Sequence, residues 1–114
     1  MPSPEYGSIA QGAFSMPMNV AVCALKFRLP ENHSLKGKRQ IVLSMTARLQ
    51  NRFHVSAAEV EGQGLWQICT IGMSYVSNRG EHARETIDHA IAFVVENYPD
   101  IEVLEVQVEV LPVL

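Results

Sequence analysis

The fold of this chain is decided by residues 20–53, which read VAVCALKFRLPENHSLKGKRQIVLSMTARLQNRF. Residues 20–29 form a β-rich run that is almost continuously apolar at its start and alternates with basic side chains at its end. Pro30 and the polar residues after it break the run. Apolar side chains then recur at helical spacing over residues 35–53, and Ser34 is a favourable N-cap residue. This stretch therefore predicts a strand, a short break and an amphipathic helix.

The rest of the chain predicts two strands, a second helix and a final strand. Asn78 and Glu81 resemble a capping box that would open the second helix, and Pro99 follows the end of that helix. The final strand alternates valine and leucine with glutamate and glutamine. The predicted segments are a strand over residues 54–61, a turn at 61–64, a strand over 66–77, a helix from Asn78 to about Tyr98 and a strand over 101–111.

The order β-α-β-β-α-β predicts a ferredoxin-like α+β fold. Because crossover connections are right-handed, this order favours a four-stranded antiparallel sheet with strand order 4-1-3-2 and both helices on one face. The side chains expected to face the helices include Leu25, Phe27, Leu104, Val106 and Val108.

The other, open face of the predicted sheet is half apolar and half charged. Val20, Val22 and Ala24 make one end apolar. Near the other end, Lys26 and Arg28 would lie beside Glu105 and Glu109 of the neighbouring strand. An exposed, partly apolar sheet face commonly marks a surface of self-association. A homodimer through this face is therefore one expectation.

Length and composition predict a single domain over residues 18–114, preceded by a flexible extension rich in Pro, Ser and Gly over residues 1–17. No apolar run approaches the length of a membrane span, and the first residues do not resemble a signal peptide, so we expect a cytoplasmic protein. Cys23 and Cys69 lie in apolar, strand-like runs. We expect two reduced, buried thiols, with a disulfide between adjacent strands as the alternative.

The net charge of −3 conceals an uneven distribution of charge along the chain. Residues 26–52 carry seven cations and one acid, whereas residues 55–114 carry two cations and ten acids. Such a division is typical of a basic surface for phosphate-rich partners beside an acidic surface that repels them. The alternative is that the two parts neutralise each other within the fold.

Residues 33–39, HSLKGKR, place three cations in the first turns of the first helix. The amino end of a helix is partially positive, so each exposed cation there is unfavourable by about 0.3–1 kcal/mol. A glycine within a helix costs about 1 kcal/mol relative to alanine. This composition indicates that an anion binds at the first turn of the helix, near Trp66 at the same end of the sheet. The predicted anion- or RNA-binding residues are Ser34, Lys36, Lys38, Arg39 and Trp66.

The cations of residues 33–39 have two interpretations. In one, they and the backbone N–H groups near Ser34 bind a phosphate, and Gly37 lets the ligand approach the helix closely. In the other, a salt bridge ties the helix to the turn between the second and third strands. The residues that could form it are Lys38, Arg39, Glu59 and Glu61.

Other groups that could carry chemistry give weaker signals. The Trp66 ring could stack on a nucleobase, or it could cover the edge of the core. His82, Glu85 and His89 share one face of the second helix, where a solvated surface is the alternative to metal binding. The sequence contains no nucleophile elbow, phosphate loop, pair of catalytic acids or Cys-x-x-Cys motif. We therefore predict no catalytic residues, no metal and no cofactor.

Several motifs resemble the bacterial YlxP-like family, whose function is unassigned. They are HSLKxKR at residues 33–39, RFxVSxAEV at 52–60, LWQ at 65–67 and VSN at 76–78. The resemblance extends over about residues 19–111, and this chain departs from it by its N-terminal extension and by Gly-Gln-Gly at 62–64. It implies a ferredoxin-like fold. The genes of that family tend to lie beside those for translation initiation factor 2 and a ribosome-binding factor.

Together these observations predict a non-enzymatic binding module. Its expected partner is structured RNA, such as ribosomal RNA, or a ribosomal or translation factor, contacted through Lys36, Lys38 and Arg39. Two alternatives are a homo-oligomeric structural or regulatory protein, and a small sensor of an anionic metabolite. No membrane partner is expected.

Overall fold

The structure, a computed structural model, describes residues 17–114. The predicted extension over residues 1–17 therefore lies outside the described residues except for Pro17, which is exposed. Two helices and four strands follow in the predicted order. They are β1 (Asn19–Arg28), α1 (Leu35–Phe53), β2 (Ser56–Glu61), β3 (Ile68–Ser77), α2 (Gly80–Asn97) and β4 (Glu102–Pro112).

The four strands form one antiparallel sheet in the order β2-β3-β1-β4, which is the predicted order 4-1-3-2. The ferredoxin-like α+β fold is therefore confirmed. Alternate residues of β1 are buried because one face of the sheet packs against the helices. Cys23 lies opposite Met73 of β3 and Val108 of β4, and Leu25 lies between Ile71 and Val106 in the same way.

The helices cover the sheet with the apolar stripes that their spacing predicts. Val42, Met45 and Leu49 of α1 are buried, as are Ile87 and Val94 of α2. None of the helices in residues 17–114 is long and apolar enough to cross a membrane.

The edge strand β4 is less covered by the helices than the sequence predicts. Leu25, Phe27 and Val108 pack into or against the core as expected, but Leu104 and Val106 are 39% and 43% exposed. An irregularity in the β1–β4 register, between the pairs of Lys26 and Phe27, leaves Leu104 without an opposite residue. Val106 lies opposite the buried Leu25, on the helix-facing side of the sheet as expected, and its exposure follows from its place on the edge strand. The expectation for Leu104 is wrong, because the irregularity leaves it without a partner on that side.

The first helix is capped as predicted and the second is not. Ser34 Oγ accepts a hydrogen bond from the Gly37 N–H at 3.0 Å. The predicted capping box of Asn78 and Glu81 is wrong, because α2 begins at Gly80, one residue later than that box requires, and Arg79 occupies the N-cap position. The Arg79 side chain makes no capping hydrogen bond.

Both cysteines are free and buried. They lie on the neighbouring strands β1 and β3, but Cys69 faces Phe27 and Cys23 faces Met73. The expectation of two reduced thiols is therefore confirmed, and the alternative disulfide does not form.

Candidate nucleic-acid interface

The predicted site lies where α1 begins, next to residues 62–67, which we call the β2–β3 connection. The Leu65 N–H donates a hydrogen bond to the Gly62 carbonyl at 2.9 Å, closing a turn. Gly62 has a φ of +91°, and a Cβ atom there would lie 2.7 Å from the carbonyl oxygen of Ile68. This turn therefore requires glycine at position 62.

The Lys38 side chain holds the β2–β3 connection against α1. Lys38 is only 1% exposed, and its Nζ donates hydrogen bonds to the carbonyl oxygens of Gly62 and of Leu65, the latter at 2.8 Å. The same Nζ lies 2.8 Å from Glu59 Oε2. This buried oxygen accepts no hydrogen bond from the described residues, so the Lys38–Glu59 contact is an ion pair without hydrogen-bond geometry. Of the two interpretations of Lys38, the structure shows the internal salt bridge.

Two amide side chains tie the same connection to the segment between β1 and α1. Asn32 Nδ2 donates to the carbonyl oxygens of Ser34 at 2.8 Å and Trp66 at 2.6 Å. Gln67 Nε2 donates to the Asn32 carbonyl at 3.1 Å. The backbone of the β2–β3 connection is thus held by hydrogen bonds of the Asn32, Lys38 and Gln67 side chains. Asn32 and Gln67 were missed by the sequence analysis, where Asn32 was counted only among the residues that break the first strand.

The amino end of α1 is met by two of the protein's own side chains, Ser34 and Asn32. Ser34 Oγ already accepts from the Gly37 N–H. A Cβ atom at Gly37 would lie 2.5 Å from Asn32 Oδ1, so the close approach that requires this glycine is made by Asn32. Gly37 thus has a packing explanation within the protein, and the approach of a ligand at this position stays a prediction.

The side chains of the β2–β3 connection point outward although its backbone is fixed. Trp66 is 55% exposed and Leu65 is 52% exposed. Of the two alternatives for Trp66, covering the core is therefore not its main contribution. An exposed indole on a restrained backbone is well suited to recognition because little conformational entropy is lost when it binds.

Lys36 and Arg39 are exposed cations in the first turns of α1. Among the described residues, neither forms a salt bridge, and Glu61, the other acid considered as a partner, accepts instead from Thr70 Oγ1 at 3.3 Å. Residues 35–53 contain no acid. The positive charge of Lys36 and Arg39 is therefore not cancelled within their own helix. We call Lys36, Arg39, Leu65 and Trp66 the basic rim.

The other chemical groups named from the sequence are the histidines of α2 and the two cysteines. Within residues 17–114, no three His, Cys, Asp or Glu side chains are arranged to hold a metal ion. His82 of the sequence-predicted His-Glu-His face lies 3.4 Å from the Tyr75 hydroxyl. Burial raises the pKa of the Cys23 thiol to about 11 and that of Cys69 to about 12, with the Glu59 carboxylate contributing at Cys69. Such thiols are poor nucleophiles at neutral pH.

Comparisons with known proteins identify relatives without a known role. Residues 20–108 match a family described as "Protein of unknown function (DUF503)". An uncharacterized protein, YlxP of Bacillus subtilis (strain 168), is 33% identical over 69 residues, which are 60% of this chain and 74% of the relative. These findings confirm the resemblance noted in the sequence.

Proposed function

This chain belongs to the DUF503 family, whose function is unknown, and we propose from the geometry of the basic rim that it is a non-enzymatic module that binds structured RNA there. The observation that carries the proposal is the exposed Trp66 indole on a fixed backbone, beside a helix start with two cations that have no acidic partner among the described residues.

The basic rim offers two kinds of contact that RNA needs. Lys36 and Arg39 can bind phosphate groups, and such contacts release counterions and become weaker as salt is added. The exposed face of Trp66 can stack on a base, which contributes about 1–3 kcal/mol for each base. Stacking requires a base that is not paired. We therefore propose an RNA with an unpaired loop or bulge next to a duplex, such as a segment of ribosomal RNA.

The position of Lys38 changes which residues contact the RNA. Its ammonium group is occupied by two carbonyl oxygens and by Glu59, so we assign it the role of positioning Trp66. The acids of β4 and α2 make these two elements negative, which favours a localised contact over a general coating of nucleic acid.

The test is binding to a ribosomal RNA fragment with one unpaired loop, measured over a range of salt concentrations. We expect affinity to fall steeply with salt and to fall further in a Lys36→Gln/Arg39→Gln variant. Arg79→Gln is the matched control, since Arg79 is exposed and forms no salt bridge among residues 17–114. Equal affinity of the two variants overturns the proposal. So does capture of a protein partner that survives treatment with ribonuclease and depends on the same residues.

A second candidate function, a homodimer, is favoured by the open face of the sheet. Lys26 of β1 lies opposite Glu105 of β4, and Arg28 Nη1 lies 3.5 Å from Glu102 Oε2. Cations therefore line β1 while acids line the adjacent β4. Towards the other end, Val20 lies opposite the exposed Val76.

A second copy of this chain is the occupant that fits this open face. A two-fold axis along the boundary between β1 and β4 would place β1 of each copy over β4 of the other. Lys26 would then face Glu105 of the second copy, so that the surface complements itself, as a two-fold interface requires. Light scattering at high protein concentration tests this candidate, and a strict monomer rejects it.

A further inference from the structure

A second group of cations lies between the two helices, away from the basic rim. The interhelical groove, with a volume of about 450 Å³, is lined by Arg48 and Arg52 of α1 and by His89, Phe93 and Glu96 of α2. Arg48 is nine residues after Arg39, which at 100° per residue places it on the opposite side of α1, about 180° away. The groove and the basic rim are therefore separate surfaces.

Both arginines of the groove are held by the same aromatic ring. The guanidinium carbon of Arg48 lies 4.9 Å from the centroid of the Phe93 ring, and that of Arg52 lies 5.1 Å from it. Arg48 Nη1 also donates to the Tyr98 hydroxyl at 3.0 Å, and its Nη2 donates to Asn97 Oδ1 at 3.5 Å. The ring and these hydrogen bonds fix where the guanidinium groups point.

The charges of the two arginines are not neutralised. In the described part of the chain, no carboxylate lies within salt-bridge distance of either one, although Glu96 lines the same groove. Like charges one helical turn apart are mutually unfavourable. Arg52 makes no hydrogen bond with the described residues, and Arg48 uses only part of its five N–H donors. A cation near the end of α1 suits the helix dipole, but this does not explain two arginines on one ring.

We propose that the interhelical groove binds a phosphate group, with Arg48 and Arg52 donating to its oxygens. Guanidinium groups match phosphate in geometry, and two of them converging on one groove favour a doubly charged anion. The phosphate can belong to a free phosphate ester or to the backbone of an RNA that also reaches this side of the protein. The inference goes beyond the proposed function, because it concerns residues that take no part in the basic rim.

The experiment uses inorganic pyrophosphate as the probe, follows the arginine Nε–Hε signals of the wild type by NMR, and measures the affinity of each variant by calorimetry. We expect a saturable shift of the Arg48 and Arg52 signals, a loss of affinity of at least tenfold in Arg48→Gln/Arg52→Gln, and unchanged affinity in Arg79→Gln. The double variant also removes the two side chains that lie over the Phe93 ring. Glu96→Gln therefore supplies a test that leaves the arginines in place. Removing this negative charge from the groove should tighten pyrophosphate binding several-fold.

Two further arms identify the source of the phosphate. If a short RNA that lacks a terminal phosphate displaces pyrophosphate, the groove binds backbone phosphate. If only a phosphate ester displaces it, the groove binds a free phosphate compound; both results support the site. The absence of a saturable shift, or equal affinity in the wild type and both groove variants, overturns it and leaves the arginines as a cover for Phe93. Neither result depends on Lys36, Arg39 or Trp66.

Discussion

Lys38 and Glu59 form a buried ion pair, with 2.8 Å between the ammonium nitrogen and one carboxylate oxygen. Since Lys38 also donates to the carbonyl oxygens of Gly62 and Leu65, one side chain links the start of α1 both to β2 and to the β2–β3 connection. This arrangement makes the conformation around Trp66 dependent on a buried residue.

Lys38→Met is expected to destabilise the protein by about 3–5 kcal/mol, because it leaves the Glu59 carboxylate buried without a partner. Unfolding in urea measures this loss. The double variant Lys38→Met/Glu59→Leu should recover much of it, since both buried charges are then removed. As a control, Lys36→Met changes an exposed lysine two residues away and should alter stability by less than about 0.5 kcal/mol. A loss for Lys38→Met as small as that control would contradict the role assigned to the pair.

Trp66 provides a direct signal for RNA binding because it is the only tryptophan in the chain. We expect its fluorescence to be quenched when an unpaired base stacks on it, and Trp66→Ala to weaken RNA binding by about 1–3 kcal/mol. Trp66→Phe retains an aromatic face and should lose less. Because Trp66 is 55% exposed, its substitution by alanine should leave urea stability nearly unchanged. Fluorescence that does not respond to saturating RNA would place the contact elsewhere.

Lys36 and Arg39 should each contribute about one phosphate contact. The slope of log affinity against log salt should therefore fall by about 1 for each of Lys36→Gln and Arg39→Gln, and by about 2 for the pair. Fluorescence titration at four or more salt concentrations measures the slopes. Arg79→Gln removes the same charge from the start of the other helix and should leave the slope unchanged. A uniform change in all three single variants would indicate a general charge effect in place of a local site.

Periodicity and turn residues predicted all six elements and the strand order, because each helix and strand carries a clear apolar pattern. The errors occur where contacts made only in the folded chain decide the outcome. The Arg79 N–H donates to Ser77 Oγ, and Arg79 takes the N-cap position of α2 that was predicted for Asn78. The register irregularity opposite Lys26 and Phe27, which the alternation of β4 does not reveal, displaces Leu104.

The candidate site shows a similar limit. The sequence named Glu59 as one partner of Lys38, but it could not choose between an anion and this carboxylate, because Glu59 lies on another element. Asn32 was missed because its amide bonds join segments that are far apart in sequence. The spacing of Arg48 and Arg52 and the absence of acids from residues 35–53 were visible signals, but their shared contact with Phe93 required the structure.

The two buried thiols should make the protein less stable in alkali. Burial raises the pKa of Cys23 from 9.0 to about 11 and that of Cys69 from 9.0 to about 12. Between pH 9 and these values, the unfolded chain loses thiol protons that the folded chain keeps. The free energy of unfolding therefore falls as pH rises, by at most about 1.4 kcal/mol per pH unit for each thiol. Urea unfolding between pH 8 and 11 should show this slope, and Cys69→Ala should reduce it. A slope that is the same in the variant would show that other groups cause it.

The proposed homodimer can be tested by exchanging charges across the open face. Lys26→Glu should weaken the dimer because the new carboxylate would face Glu105 of the second copy, and Glu105→Lys should do so for the converse reason. An equal mixture of the two single variants should form a heterodimer, since each copy then offers the charge that the other lacks. The variant carrying both substitutions should form a homodimer again.

Light scattering with one variant carrying a mass tag distinguishes these species. If the single variants dimerise as well as the wild type, or if the mixture stays monomeric, β1 does not lie over β4 of a second copy. Val22→Glu adds an uncompensated charge to the same face, next to Ala24, and should prevent every one of these dimers without entering the core.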